Sequence, residues 1–322
     1  MMTSAQNETL FRNPFLIEDL SVFDDATLRK MLDTGSFGLT LENLALGLHH
    51  APPPLVERIA RLLSSRRSYF IQELYRPAPE SEIEATRQLI LDKLFWELTY
   101  WKTPDLYDEL TEGEQLHPGI FQQLEPDLCD KLVLDAGAGS GRASFECVRH
   151  GARLVYAVEP SPALLHILER KLASQVSAGA LDTGRVIPFS GCFDHLPLQD
   201  HSVDLALSCS AFTAAPEQGG EPGLAELKRV TRPGGKIVLI WPRIQDYYWL
   251  GTHGFTYVAL PLQQEMHVHF RSLESALKCV QRFYAHNEAV VRYILTHRSP
   301  EIPFSVLGIN PPCDYCWLEV HS

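Results

Sequence analysis

The chain changes periodicity part-way along its length. In residues 13–100 apolar side chains recur at i, i+3 and i+4, as in Ile17-Glu18-Asp19-Leu20, Leu28-Arg29-Lys30-Met31-Leu32, Leu44-Ala45-Leu46-Gly47-Leu48 and Leu55-Val56-Glu57-Arg58-Ile59. This spacing predicts short amphipathic helices separated by Gly, Ser and Pro turns. Pro52-Pro53-Pro54 suits a helix start, because proline fits a first turn. Ser81-Glu82-Ile83-Glu84 opens a longer helix running toward Trp96. From residue 132 onward, short apolar runs alternate with helical stretches: Leu132-Val133-Leu134, Leu154–Val158, Val186–Phe189, Val203–Ser210 and Lys236–Ile240. That alternation predicts an α/β unit with a mainly parallel sheet. The chain therefore divides into an all-α domain, residues 1–102, and an α/β domain, residues 103–322, whose last portion, rich in Pro300, Pro303, Pro311 and Pro312, reads as a largely irregular tail.

The first strand of the second domain runs into Asp135-Ala136-Gly137-Ala138-Gly139-Ser140-Gly141-Arg142. Glycine admits positive φ and lets a ligand approach the main chain, so Gly137, Gly139 and Gly141 mark a cofactor turn. Two cofactors compete for it. A dinucleotide fold wants G-x-G-x-x-G, but Arg142 stands where its third glycine belongs, and Asp135 would repel a pyrophosphate. A carboxylate there instead accepts a hydrogen bond from an ammonium group.

This D-x-G-x-G-x-G pattern resembles class I S-adenosylmethionine (SAM)-dependent methyltransferases over residues roughly 105–272. The resemblance implies a Rossmann-like, seven-stranded sheet and SAM as cofactor, with its amino-acid end over Gly137 and Gly139 near Asp135. It implies that Glu159, ending the second strand, accepts hydrogen bonds from the ribose hydroxyls. The segment Val186–Leu198 is similar to the family's adenine wall. Cys192 stands where many relatives have an acid, which leaves adenine to the Phe193 backbone N–H and apolar contact, while Asp194 falls two residues late. Ser208 and Ser210 end the fourth strand under the reactive methyl. Leu224–Ile240, with its Arg-Pro-Gly-Gly turn, is similar to the approach to the fifth strand, and 255–260 with 266–270 reads as the antiparallel pair closing the sheet. A helix from Ser272 toward His297 follows.

On the acceptor side the residues are less telling. Aromatic side chains before the first strand, Trp96, Tyr100, Trp101 and Tyr107, suit a cover that excludes water from the methyl group. Tyr107 is the leading lid candidate and His117 the second; both also read as ordinary helix packing. If a base is needed, His117, His195 and His253 are the candidates. Asp246–Leu250 with His253 suits a wall of a small-molecule pocket. No Asn-Pro-Pro-Tyr signature of enzymes acting on exocyclic amines occurs at Ser208–Ser210.

Residues roughly 13–100 resemble the C-terminal helical domain of the flagellar motor-switch protein FliG, in the order Ile-Glu-Asp-Leu, Asp24–Leu32, Leu44–Leu48, Leu55–Ile59, Leu63–Arg67 and Glu82–Ile90. Arg66 matches a basic position of the ridge that contacts the stator and Glu73 one acidic position, but the second acidic position is Leu74. An adaptor or lid that recruits a protein partner is the expected role, beside a plain stabilising cap.

A formal charge of −12 over 322 residues argues against nucleic acid, whose binding draws on basic patches. No apolar run is long enough to span a bilayer, and Met1–Glu8 lacks the features of a signal peptide, so a cytoplasmic location without membrane contact is expected. Seven cysteines suit a reducing compartment. Cys313-Asp314-Tyr315-Cys316 has the spacing of half a zinc site, with only Cys279, His286 or His321 to complete it, and reads as two half-buried thiols beside Trp317 with no metal. The expected activity is methyl transfer from SAM to a small molecule or a protein side chain. The alternative is a SAM-binding scaffold or sensor whose helices recruit a partner, and a nicotinamide enzyme ranks third.

Overall fold

The computed structural model describes residues 13–32, 36–178, 183–284 and 287–321. Met1–Glu8 and His286 lie outside them. The chain divides into two compact units, Met1–Pro104 and Asp105–Ser322.

The first unit is helical. A 3-10 turn at Ile17–Val22 precedes α1 (Asp25–Leu32), α2 (Leu41–Gly47), α3 (Pro53–Leu62), α4 (Arg67–Leu74), α5 (Glu80–Lys93) and α6 (Phe95–Lys102). Helix α3 starts at the proline run, and Thr40 caps α2 by accepting the Asn43 N–H at 3.1 Å. The helix expected to reach Trp96 is broken at Leu94, whose φ of −97° and ψ of 11° separate α5 from α6. Phe23, Ile59, Leu63, Phe70, Ile83, Ile90 and Leu98 form the core. Arg58 ties α3 to the start of α1, donating from Nε to Asp25 Oδ1 at 2.7 Å and from Nη2 to the Phe23 carbonyl at 2.6 Å. Trp101 packs edge-on against Phe23, and Trp96 edge-on against Phe95 and stacked on Tyr100. Leu74, where a ridge acid was sought, is buried, while Glu73 pairs with Arg76.

In the second unit α7 (Pro104–Gly113) and α8 (Gly119–Leu128) lead to β1 (Leu132–Ala136), α9 (Arg142–Arg149), β2 (Leu154–Glu159), α10 (Pro162–Ala178), β3 (Val186–Ser190), β4 (Val203–Cys209), α11 (Gly220–Val230) and β5 (Thr231–Ile240). Then come α12 (Tyr247–Thr252), β6 (Thr256–Ala259), β7 (His267–His269), α13 (Leu273–Phe283), α14 (Glu288–His297), β8 (Glu301–Pro303), α15 (Phe304–Leu307) and β9 (Asp314–Glu319). The seven-stranded sheet has the order β3-β2-β1-β4-β5-β9-β6. Strands β1 to β5 are parallel; β9 runs antiparallel to both β5 and β6. Alternate residues face two cores. Val133, Leu205 and Leu207 meet α8, α9 and α10 on one side, and Leu134, Ala206 and Leu239 meet α11 and α12 on the other.

Three expectations are corrected. The strand at 267–269 does not close the main sheet: β7 pairs with β8 in a separate two-stranded sheet. The tail is not irregular, because its Asp314–Glu319 supplies the strand between β5 and β6. Alternation in this segment is masked by burial on both faces, since Tyr315 and Cys316 are successive and both buried. The long helix after Ser272 is two helices, α13 and α14. The Pro-Gly-Gly segment is also more than a turn: it lies within β5, where Gly234 with φ of 78° donates its N–H to the Val320 carbonyl at 2.7 Å.

Candidate functional site

Strand order reverses between β1 and β4, which opens a crevice at their carboxyl ends. The glycine turn lies at that crevice. The N–H groups of Gly137 and Ala138 both donate to the Val158 carbonyl, at 2.8 and 3.0 Å, so the turn is pinned to β2. Gly137, Gly139 and Gly141 take φ values of 72°, 56° and 96°. Their surroundings differ. A Cβ on Gly137 would meet Ala211 Cβ at 2.6 Å, and one on Gly141 would meet Leu168 Cδ1 at 2.5 Å, whereas Gly139 has nothing within 4 Å. Two of the glycines are therefore demanded by packing, and the middle one faces open space.

Asp135, one residue before the end of β1, is fully buried. Ser144 Oγ donates to its Oδ2 at 2.6 Å, while Oδ1 has no hydrogen-bond partner. Burial pushes this carboxyl up to about 6, against the lowering influence of Ser144 and Arg142. An orphaned, buried carboxylate oxygen beside an open backbone turn calls for a donor, and a cationic one would return the group to its ionised state. Glu159, at the end of β2, is also buried and accepts from the Gly139 N–H at 2.9 Å through Oε2 and from the Ser161 N–H at 2.8 Å through Oε1. These bonds fix the carboxylate at the rim of the turn.

Cys192 is half-buried and bridges to His195 in a small turn, with Asp194 exposed. The Phe193 ring packs edge-on against Phe212 at 5.4 Å and lies under Gly137, so its side chain supports the glycine turn. Ser208 is buried, and its hydroxyl accepts the Phe212 N–H at 3.2 Å, which holds the turn after β4. Ser210 has φ of 59° and accepts from Arg142 Nη2 at 3.2 Å.

Residues 134–239 match the family model described as a methyltransferase domain. The chain is 34% identical over 111 residues to an uncharacterized methyltransferase of Mycobacterium tuberculosis, covering 34% of this chain and 40% of that protein. It is 29% identical over 175 residues to the dimethylglycine N-methyltransferase of Parasynechococcus marenigrum, covering 48% of this chain and 60% of that protein. The chain thus spans less than two thirds of the length of these relatives. Among solved structures, a putative SAM-dependent methyltransferase from Methanococcus maripaludis aligns with 69% of this chain and 92% of its own, at 12% identity and a TM-score of 0.41.

The matched segment runs from within β1 to near the end of β5 and so contains Asp135, the three glycines, Glu159, Cys192, Phe193 and Ser208. Its residues fit SAM: the orphaned Asp135 Oδ1 suits the ammonium group, and the open Gly139 backbone and the pinned Glu159 suit the nucleoside.

The remaining candidates lie outside the match. Tyr107, on α7, is half-buried near Arg142, Glu114 and Glu159, and desolvation holds its hydroxyl well above the usual phenol range. The structure therefore brings Tyr107 to the crevice. His117 Nδ1 accepts the Gly119 N–H at 3.1 Å. With Ser140, Arg142 and Lys171 it lines a cleft of about 510 Å³ beside α9. His253 stacks on Trp249 at 3.9 Å and pairs through Nε2 with Glu221 at 2.7 Å, which is a packing role, and His195 is exposed. Among the described residues no cluster of three metal-ligating side chains occurs. Cys316 is buried in the sheet core, with its thiol pushed up to about 12 by burial, and Cys313 precedes the strand. No described helix is long and apolar enough to cross a membrane.

The structure also brings together Glu114, Arg142 and Tyr284, which sequence reasoning did not single out as site residues. Arg142 was visible only as an obstacle to dinucleotide packing. Glu114 and Tyr284 are separated by 170 positions, and no spacing rule joins them.

Proposed function

We propose that the second unit transfers a methyl group from SAM to a small-molecule acceptor by in-line displacement. The observation that carries this reading is Asp135 Oδ1, buried and without a partner beside the open face of Gly139. SAM brings an activated methyl on a sulfonium. The chain contributes position and dryness: Asp135 orients the ammonium end, Glu159 the ribose, Cys192 and Phe193 flank the adenine, and Tyr107 shields the methyl from water. Ser210 and Arg142 stand on the acceptor side, at the carboxyl end of β4. The name of the Parasynechococcus relative, a dimethylglycine N-methyltransferase, favours nitrogen as the acceptor atom. Calorimetric titration tests the reading: well-folded protein should bind SAM and its demethylated product. No heat at millimolar SAM, or displacement by NAD, would sink it.

We read the helical unit as a FliG-like adaptor for a protein partner in the cytoplasm, on the order of its apolar segments. Crosslinking of the full chain in a cell extract should capture a partner on α3 to α5; crosslinks confined to the chain itself would count against it.

A further inference from the structure

A second buried carboxylate lies beyond the cofactor contacts. Glu114, directly after α7, is only 7% exposed. Its Oε1 accepts a long hydrogen bond from Tyr284 Oη at 3.5 Å, and Oε2 stands 4.0 Å from Arg142 Nη1. Charge-assisted bonds are normally about 2.7–2.9 Å, so neither contact satisfies this carboxylate. Arg142 directs its donors elsewhere: Nη1 to the Glu114 carbonyl at 2.8 Å and the Thr111 carbonyl at 3.3 Å, and Nη2 to Ser210 Oγ at 3.2 Å and Cys209 Sγ at 3.5 Å. The guanidinium is a post that joins the end of α7 to the end of β4. It holds Glu114 near the carboxyl end of β4.

The titratable and charged groups facing Glu114 are Tyr107 from α7, Arg142 from α9, and Cys279 and Tyr284 from α13 and the residue after it. The Tyr107 hydroxyl lies within electrostatic range of both Glu114 and Glu159. Two phenol rings and a carboxylate form a surrounding that favours a cationic nitrogen. Burial lifts the Glu114 carboxyl to about 7, Arg142 and Tyr284 opposing the rise. A group of that basicity matches the removal of a proton from an alkylammonium, which titrates at roughly 8–10, and falls far short of what an alcohol requires.

We propose that Glu114 is a catalytic residue that takes the proton of an ammonium acceptor, and that the acceptor is a small aliphatic amine; this rests on the methyl-transfer reading above. The N–H bond breaks as an O–H bond forms on Glu114. The freed nitrogen lone pair forms the bond to the methyl carbon, while the methyl–sulfur bond breaks and leaves its electron pair on sulfur. The sulfonium charge thereby passes to nitrogen. Glu114 returns its proton to water when the product leaves.

The test uses the full chain with methyl-tritiated SAM and a panel of sarcosine, dimethylglycine, N-methylethanolamine and piperidine beside ethylene glycol and mercaptoethanol. Label should appear on an amine. Glu114→Gln should bind SAM within about twofold of the parent, stay folded by thermal melting, and lose about 100-fold or more in kcat, with Glu114→Asp recovering part of it. In SAM-free protein carrying 13C at the glutamate carboxyls, one signal absent from Glu114→Gln should titrate near neutral pH. Label on the alcohol or thiol alone, or on no amine while SAM binds, overturns the inference and leaves the methyl-transfer reading standing. Weakened SAM binding in Glu114→Gln makes Glu114 a cofactor contact and also overturns it. Absence of SAM binding in the parent removes the methyl-transfer reading itself.

Discussion

The two sides of the crevice are built in opposite ways. The proposed cofactor side comes from one β-α-β step, with Asp135, the glycine turn and Glu159 within 25 consecutive residues and held by backbone bonds between adjacent strands. The proposed acceptor side is gathered from distant segments: α7 and Glu114 precede β1, Ser210 follows β4, and Tyr284 comes from the insertion between β6 and β9. Backbone pairing defines the first; side-chain bonds from Arg142 define the second. A site of the first kind tolerates little change. One of the second kind can be refitted to another acceptor while the fold persists.

The largest effect expected is from Arg142→Leu, which removes the post and leaves Glu114 buried without its cation. Losing the guanidinium's hydrogen bonds to the Thr111 and Glu114 carbonyls and to Ser210, each worth roughly 1.5–3 kcal/mol for a charged donor, costs about 3 kcal/mol or more, read by calorimetry as a fall in melting temperature of roughly 10 °C, with SAM affinity changed far less than stability. Equal loss of both would show that the two sides are not separable. Glu159→Ala should come next: with charged hydrogen bonds worth roughly 1.5–3 kcal/mol each, SAM affinity should fall about 100-fold in a titration, while turnover at saturating SAM is preserved.

Asp135→Asn should weaken SAM about tenfold, the equivalent of one charge-assisted bond, and it also sharpens the comparison through pH. Asp135 and Glu114 are raised in the folded state to about 6 and about 7 from ordinary carboxyl values of 3.8 and 4.5. Folded protein therefore holds more protons than unfolded protein across that window, and ligand-free stability should decline as pH rises from about 4 to about 7. SAM affinity should move the other way, increasing as Asp135 ionises through about pH 6, with a proton released on binding. In Asp135→Asn both trends should shrink; an unchanged profile would remove Asp135 from the ammonium contact. The smallest effect belongs to Arg271→Ala. Its exposed bonds to Glu109 and Glu112 link the insertion to α7, and such pairs are worth about 0.5 kcal/mol. A shift of more than a few degrees in melting temperature would show that the insertion is coupled more tightly than its exposed contacts imply.

How far these features were legible in the sequence follows the same division. The glycine turn, Glu159 and the parallel strands could be read because each is a local pattern: a spacing, a period or a residue with a required φ. Ser208 was read from its position at a strand end, but the 3.2 Å bond to the Phe212 N–H depends on a turn that no residue type announces. Strand β9 was hidden because it follows two prolines and its first three residues are buried in succession, so they do not alternate. Glu114 was unreadable because its meaning comes from Arg142 and Tyr284, which reach it only through the fold.

Strand β9 also sets an order of assembly. Strands β1 to β5 can pair as they emerge, but β6, made earlier than β9, has no partner in the main sheet until β9 slots between it and β5. The exposed edge of β5 must wait through the whole intervening insertion, so ribosome-bound chains stalled in that stretch should attract chaperones and associate through that edge.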